Sequence, residues 1–145
     1  MRGAYRKDIF GITDCASYRE EIGVSDKPEG ILKILLVDDE MLVRSGTAMM
    51  LDELGHDVTE AVSGKQALEI LSNGQHFDLV ITDYRMPGID GVELISESRQ
   101  LIPGLKAVLM TGYDADDPRF ADMEAGSLSK PFGLEDLEKA LDNAY

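Results

Sequence analysis

The stretch LLVDDE, residues 35–40, joins three apolar residues directly to three carboxylates. The apolar half predicts a buried β-strand over Leu32–Val37. Carboxylates placed side by side repel one another and are costly to remove from water, so the acidic half needs a compensating partner. A divalent cation that prefers oxygen ligands, such as Mg²⁺, is the first candidate for that partner.

Short apolar runs of the same kind recur from residue 31 onward, and each is followed by a helical pattern. Further strands are predicted over Asp57–Ala61, Asp78–Thr82 and Leu105–Met110, with a fifth, very short one at Leu128. Strands and helices that alternate in this way predict an α/β domain over residues 31–145. Its core would be a doubly wound, five-stranded parallel sheet with helices on both faces.

The helices are predicted from apolar spacing and from their end signals. The first is an amphipathic helix, ended by Gly55, whose apolar residues are Leu42, Val43, Gly46, Met49, Met50 and Leu54. The others are predicted over Gly64–Leu71 with Ser63 as its N-cap, near Val92–Leu101, and after Gly133. Between Thr111 and the fifth strand only Arg119–Ala125 is left for a fourth helix, which we expect to be short, frayed or absent.

Composition excludes several classes of protein. The 145 residues carry 28 Asp and Glu against 14 Lys and Arg, a net charge of −14 that opposes binding to nucleic acid or anionic lipid. Cys15 is the only cysteine, so an intrachain disulfide is impossible. No apolar run approaches the roughly 20 residues that span a bilayer, and no signal peptide is visible. We therefore expect a soluble, cytoplasmic protein, with residues 1–30 as a mobile N-terminal extension.

Polar residues follow the predicted strands at the points where the strands end: Asp38, Asp39, Asp83, Thr111 and Lys130. The carboxyl ends of parallel strands share one edge of a sheet, where ligands bind, so these side chains should converge. The chain has no P-loop pattern, no zinc spacing of Cys and His, and no G-x-S-x-G elbow. The set instead suits phosphoryl transfer to a carboxylate, with the hydroxyl and the ammonium stabilising the phosphoryl oxygens.

Four motifs at these strand ends make residues 31–145 resemble the receiver domain of two-component response regulators, which has a flavodoxin-like fold. The motifs are LLVDDE (35–40), DLVITDYRMPGIDG (78–91), VLMTGY (108–113) and SKPF (129–132). The resemblance implies that a histidine kinase or a histidine phosphotransfer protein phosphorylates Asp83 in a Mg²⁺-dependent reaction. It also implies a downstream protein target, and no enzyme activity on a separate substrate.

The resemblance also assigns a role to each remaining residue of the site. Asp39 would be a direct Mg²⁺ ligand and Asp38 would act largely through water, with Asp83 and the backbone carbonyl of Arg85 completing the shell. Thr111 would be the switch hydroxyl. Lys130 would pair with the acceptor and then with its phosphate, and the Lys130–Pro131 peptide would be cis.

Three departures from the family pattern qualify this interpretation. Ser127 stands where the family usually has an aromatic residue that moves with the Thr, the fourth helix is short, and no output domain follows. We therefore expect a stand-alone, single-domain receiver in which Gly112–Ala125 becomes ordered on phosphorylation. The alternatives are a receiver-like interaction module that is not phosphorylated and, less favoured because no substrate pocket or cap segment is visible, a metal-dependent phosphatase.

Overall fold

The computed structural model describes residues 30–112 and 117–144. Five parallel strands form one sheet in the order β2-β1-β3-β4-β5: β1 (Lys33–Val37), β2 (Asp57–Ala61), β3 (Leu79–Asp83), β4 (Lys106–Thr111) and β5 (Gly126–Ser129). The chain first steps outward from β1 to β2 and then crosses back to β3. The predicted doubly wound sheet is confirmed, and its topological switch point lies between β1 and β3.

In the described ranges, five helices connect and cover the strands: α1 (Met41–Glu53), α2 (Gly64–Ser72), α3 (Gly91–Leu101), α4 (Pro118–Ala121) and α5 (Leu134–Asn143). Three of them, α2, α3 and α4, begin at a side chain that caps the helix. The Ser63 hydroxyl accepts a hydrogen bond from the Gln66 amide at 3.1 Å, as predicted, and Asp90 with Glu93 forms a capping box at α3. The predicted short fourth helix is confirmed, since α4 is a single turn.

The core lies on both faces of the sheet because successive strand residues point to opposite sides. Leu35 and Val37 pack with side chains of α2 and α3, whereas Ile34 and Leu36 pack with side chains of α1 and α5. Burying one such side chain contributes roughly 1.5–3 kcal/mol, so the first strand helps to hold the helices of both layers to the sheet. The residues at its end are consequently held on a rigid support.

The predicted apolar face of α1 is partly wrong. Leu42 and Met49 were expected to face the core, but they are 83% and 73% exposed. Thr47 and Leu51 are buried instead. Apolar residues lie around most of the circumference of this helix, so their spacing does not select one face. Thr47 is accommodated in the core because its hydroxyl donates to the Val43 carbonyl at 3.0 Å.

The bounds of three strands also differ from prediction by one residue: β1 begins one residue later, and β3 and β4 each lie one residue further along the chain. Asp83 is the last residue of β3 and Thr111 the last of β4, since the ladder continues to the pair of Asp83 with Met110. Within the described ranges, none of the helices is long and apolar enough to cross a lipid bilayer. The expectations for residues 1–29 and for Cys15 concern parts of the chain outside these ranges.

Candidate functional site

The strand register brings the predicted site residues to one edge of the sheet. Val37 is paired with Thr82, so Asp38 and Asp83 follow at the same level. On the other side Asp83 is paired with Met110, directly before Thr111. Thr111 is in turn paired with Ser129, directly before Lys130. The predicted convergence of residues far apart in sequence is therefore confirmed.

Three carboxylates form the centre of the site. Asp38, Asp39 and Asp83 each offer an oxygen, and these oxygens lie within 4.8 Å of one another. Asp38 is fully buried and Asp83 nearly so, whereas Asp39 is exposed. The Glu40 amide donates to Asp38 Oδ1 at 2.9 Å and fixes that carboxylate. A set of hard oxygen donors, open to solvent through one member, fits a magnesium ion.

Lys130 places an ammonium group against the buried carboxylates. Its Nζ lies 2.9 Å from Asp83 Oδ1 and 3.5 Å from Asp38 Oδ2. Its position is fixed by its own backbone, since the Lys130 amide donates to the Thr111 carbonyl at 2.7 Å. The Lys130–Pro131 peptide is cis, as expected. Among the described residues of the cluster, one ammonium thus faces three carboxylates, and negative charge remains in excess.

The pKa values of the central pair are both displaced upward. Burial raises the pKa of the Asp83 carboxyl, and the charges of Asp38 and Asp39 add to this effect; the hydrogen bond and charge of Lys130 oppose it without cancelling it. Burial acts to lower the pKa of Lys130, but the hydrogen bond and charge of Asp83, with the charge of Asp38, outweigh it. Asp83 is therefore more basic than an exposed aspartate, which suits a nucleophile.

The loop after Asp83 is shaped by two glycines. Gly91 begins α3 directly against Asp83, and a Cβ atom there would collide with the Asp83 carbonyl oxygen and the Leu109 side chain. Gly88 has a φ of 85°, which favours glycine. The same loop carries Arg85, whose side chain is exposed. The metal-binding role expected for the Arg85 carbonyl remains a prediction.

Residues near the site that the sequence did not reveal fall into two groups. Arg44, in α1, donates from Nη1 to the Asp38 carbonyl at 2.9 Å and from Nε to Glu60 at 3.0 Å. The bond to the Asp38 carbonyl helps to fix the backbone of the acidic loop. The sequence does offer one signal for this contact: Arg44 is a basic residue one turn into the helix that follows the acidic stretch.

The second group, which we name the Asp117 network, consists of Tyr84, Asp90, Asp117 and Arg119. Asp117 Oδ2 accepts from the Tyr84 hydroxyl at 2.7 Å and from Arg119 Nη2 at 2.6 Å. The hydrogen bonds from Arg119 and Tyr84 hold the pKa of Asp117 well below its usual range, and the bond to Asp117 raises the pKa of the Tyr84 phenol. No sequence pattern joins residues 84 and 117.

Comparisons with known proteins agree with this geometry. The model of the family described as the response regulator receiver domain matches residues 34–142. The chain is 40% identical over 114 residues to the sensor kinase CckA of Brucella abortus, a match that covers 74% of this chain but 12% of that kinase. It is 30% identical over 112 residues to sporulation initiation phosphotransferase F of Bacillus subtilis, covering 75% of this chain and 90% of that protein.

Solved structures give the same result. A response regulator receiver domain protein from Clostridium thermocellum superposes with a TM-score of 0.71 and 32% sequence identity. The match covers 78% of this chain and 93% of that one.

Proposed function

Since the chain belongs to the response regulator receiver domain family, we propose that Asp83 is its phosphoacceptor. The observation that carries the proposal is the contact of 2.9 Å between Lys130 Nζ and Asp83 Oδ1, inside a cluster of three carboxylates at the carboxyl edge of the sheet. Proteins of this family take part in two-component signalling as phosphoacceptors and bind Mg²⁺ through an acidic pocket. We assign that pocket here to Asp38, Asp39 and Asp83, with the Arg85 carbonyl.

In the proposed reaction an Asp83 carboxylate oxygen forms a bond to the phosphorus of a phosphohistidine. The bond between phosphorus and the imidazole nitrogen breaks, and its electron pair stays on that nitrogen. Lys130 offsets the negative charge of Asp83 as the donor approaches, and the Thr111 hydroxyl donates to a phosphoryl oxygen. A bound Mg²⁺ would supply further positive charge at the phosphoryl oxygens. The new group is held as an acyl phosphate on a rigid strand end.

The surface beside the acceptor supports a protein as the phosphodonor. Met41 and Leu42 begin α1 directly after the acidic loop and are 64% and 83% exposed. Large apolar side chains beside a charged site are typical of a protein interface. We therefore propose that a histidine kinase or a histidine phosphotransfer protein docks over Leu42 and presents its phosphohistidine to Asp83. The downstream target is proposed to be a protein as well.

Labelling with a small phosphodonor tests the acceptor assignment. The full chain is incubated with acetyl phosphate and Mg²⁺, and the bound phosphate is located by mass spectrometry. We expect one phosphoryl group per chain on Asp83, and none in Asp83→Asn. Absence of label in the folded wild type would favour the unphosphorylated interaction module, and sustained release of phosphate without a labelled chain would favour a phosphatase.

A variant pair tests the docking surface separately. A histidine kinase that phosphorylates the chain is first identified by profiling purified kinases. Leu42→Asp should reduce phosphotransfer from this kinase by about tenfold or more. Labelling by acetyl phosphate should be unchanged, because that donor needs no docking surface. Leu101→Asp is the control: it alters another exposed leucine, 47% exposed, at the far end of α3. Equal losses in both variants would contradict docking at α1.

The net charge of the chain supports the proposal that its partners are proteins. With a net charge of −14, the chain favours protein partners over nucleic acid or anionic membranes. A cytoplasmic location is kept as a prediction. So are the stand-alone organisation and the absence of enzyme activity on a separate substrate.

A further inference from the structure

Tyr84, the residue after the acceptor, bonds three different elements through its three polar groups. Its amide donates to the Met110 carbonyl of β4 at 2.9 Å, and its carbonyl accepts from the Gly91 amide of α3 at 2.8 Å. Its hydroxyl donates to Asp117, the N-cap of α4, at 2.7 Å. The half-buried ring packs against the core on the α2 and α3 face. Tyr84 therefore joins the acceptor to β4, α3 and α4 at once.

Arg119 reinforces the connection to α4. Its Nη2 donates to Asp117 Oδ2 at 2.6 Å and to Asp90 Oδ2 at 2.8 Å. Asp90 caps α3 and Asp117 caps α4, so one guanidinium bridges the N-caps of two helices. The Asp117 side chain is only 9% exposed although α4 is a single turn. The start of α4 is thus held by side-chain contacts more than by its own helical hydrogen bonds.

These contacts lie on a direct line from the site to α4. Tyr84 is covalently joined to Asp83, and its amide holds the residue before Thr111. A continuous set of covalent and hydrogen bonds therefore connects Asp83 and the residue before Thr111 to Asp117. On β5, by contrast, Ser127 is exposed and cannot relay a movement as an aromatic side chain would.

We propose that Tyr84 is a positioning residue that transmits the phosphorylation state of Asp83 to α4 through the Asp117 network. This inference rests on the proposed phosphoacceptor function. It also refines the expectation that Gly112–Ala125 becomes ordered on phosphorylation. Residues 117–121 form the N-cap and the single turn of α4 and are held by the contacts of Asp117, so the proposed response there is a change in how firmly the network holds them. Residues 113–116 lie outside the described ranges.

A plain structural tether is the competing explanation, and Arg99 provides the control for it. Arg99 lies near the end of α3, away from the acceptor, and holds the same segment from its other side. Its Nη2 donates to the Glu124 carbonyl, and its Nε donates to the Leu105 carbonyl at 3.0 Å. Loosening this contact should mobilise the segment without cutting its connection to Asp83.

The test is amide hydrogen exchange of residues 117–125 in the full chain, with and without beryllofluoride and Mg²⁺ as the acyl phosphate mimic. In the wild type we expect exchange to differ between the two states. Tyr84→Phe keeps the ring in the core and removes only the hydroxyl, so it should still be labelled on Asp83 by acetyl phosphate. The exchange difference, however, should shrink by roughly fivefold or more. Arg99→Gln should speed exchange in both states and preserve the difference.

The outcomes separate the two proposals. A wild type that is not labelled by acetyl phosphate overturns the phosphoacceptor function itself. If Tyr84→Phe is labelled normally and its exchange difference is unchanged, only the role of Tyr84 is overturned. Loss of the exchange difference in Arg99→Gln overturns the same role. If the melting curve shows that Tyr84→Phe does not fold, Asp117→Ala replaces it with the same criteria, because it removes the acceptor of the Tyr84 hydroxyl.

Discussion

The acceptor site and the Asp117 network are two neighbouring charged clusters, and their ion pairs differ mainly in how exposed the cation is. Lys130 Nζ lies 2.9 Å from Asp83, and Arg119 Nη2 lies 2.6 Å from Asp117. The Lys130 side chain is 22% exposed, whereas that of Arg119 is 48% exposed. The shorter contact therefore has the more exposed cation, while the two carboxylates are similarly buried, at 9% for Asp117 and 11% for Asp83. Distance alone does not order ion pairs by strength, because water weakens an exposed pair.

The two clusters also differ in charge balance. The acceptor site has three carboxylates around one ammonium, and the pKa of Asp83 is raised as a consequence of burial and of its acidic neighbours. In the Asp117 network, the Asp117 carboxylate accepts hydrogen bonds from Arg119 and Tyr84, and these bonds lower its pKa. Asp117 thus has cationic and hydroxyl donors around it, whereas the cluster at Asp83 keeps an excess of negative charge that a bound cation would offset.

The largest effect should come from completing the acceptor site with Mg²⁺. An ion that binds only the folded chain raises the free energy of unfolding by about 2.7 kcal/mol at a hundredfold excess over its Kd. We expect thermal melting to shift upward by several degrees in millimolar Mg²⁺. Asp39→Asn should lose most of this shift, and Asp52→Asn, an exposed acidic residue on α1, should keep it. Equal shifts in both variants would mean that Mg²⁺ binds elsewhere.

Removing the ammonium should have the next largest effect. Lys130→Met leaves Asp38 and Asp83 buried without their cation, which should lower the free energy of unfolding by about 1–3 kcal/mol in metal-free buffer. Denaturant titration measures the loss. Lys139→Met, on the exposed side of α5, is the control and should be close to neutral. Similar stabilities for the two variants would show that the buried pair contributes little.

A smaller effect of opposite sign is expected when the acceptor is neutralised. Asp83→Asn removes a carboxylate whose ionisation is disfavoured in the folded state, so it should stabilise the metal-free chain, by an amount smaller than the loss in Lys130→Met. The pKa of Asp83 is higher in the folded chain than in the unfolded chain. Protonation of Asp83 therefore favours the folded state, and the wild type gains stability as the pH falls from above the folded pKa to the unfolded pKa. The stability advantage of the variant should therefore shrink on acidification, and an advantage that grew would contradict the raised pKa.

The smallest effect on stability is expected in the Asp117 network. Arg119→Gln removes an exposed bridge between Asp90 and Asp117, and its midpoint in denaturant should stay close to that of the wild type. The loss should be well below that in Lys130→Met, measured in the same titration. A comparable loss would show that the network is as strongly stabilising as the buried pair, and the comparison of the two clusters would then fail.

The sheet and the centre of the site could be predicted from the amino-acid order alone. Apolar runs that end in Asp38, Asp83 and Thr111 predict both, because parallel strands bring their carboxyl ends to one edge whatever the connecting helices do. Lys130 was placed by the same rule. Local signals such as Ser63 and the short span before β5 likewise predicted helix starts and the reduced α4.

Only the tertiary structure decided which side chains meet from different elements. The spacing of apolar residues could not show that Leu42 is exposed and Leu51 buried. Helix α1 carries apolar residues around most of its circumference, and the packing of the rest of the chain decides which of them are covered. Nor could it show that Arg44 holds the Asp38 carbonyl or that Tyr84 reaches Asp117. A hydrogen bond between side chains 33 residues apart leaves no period in the sequence, since it depends on how the loops after β3 and β4 come together in three dimensions.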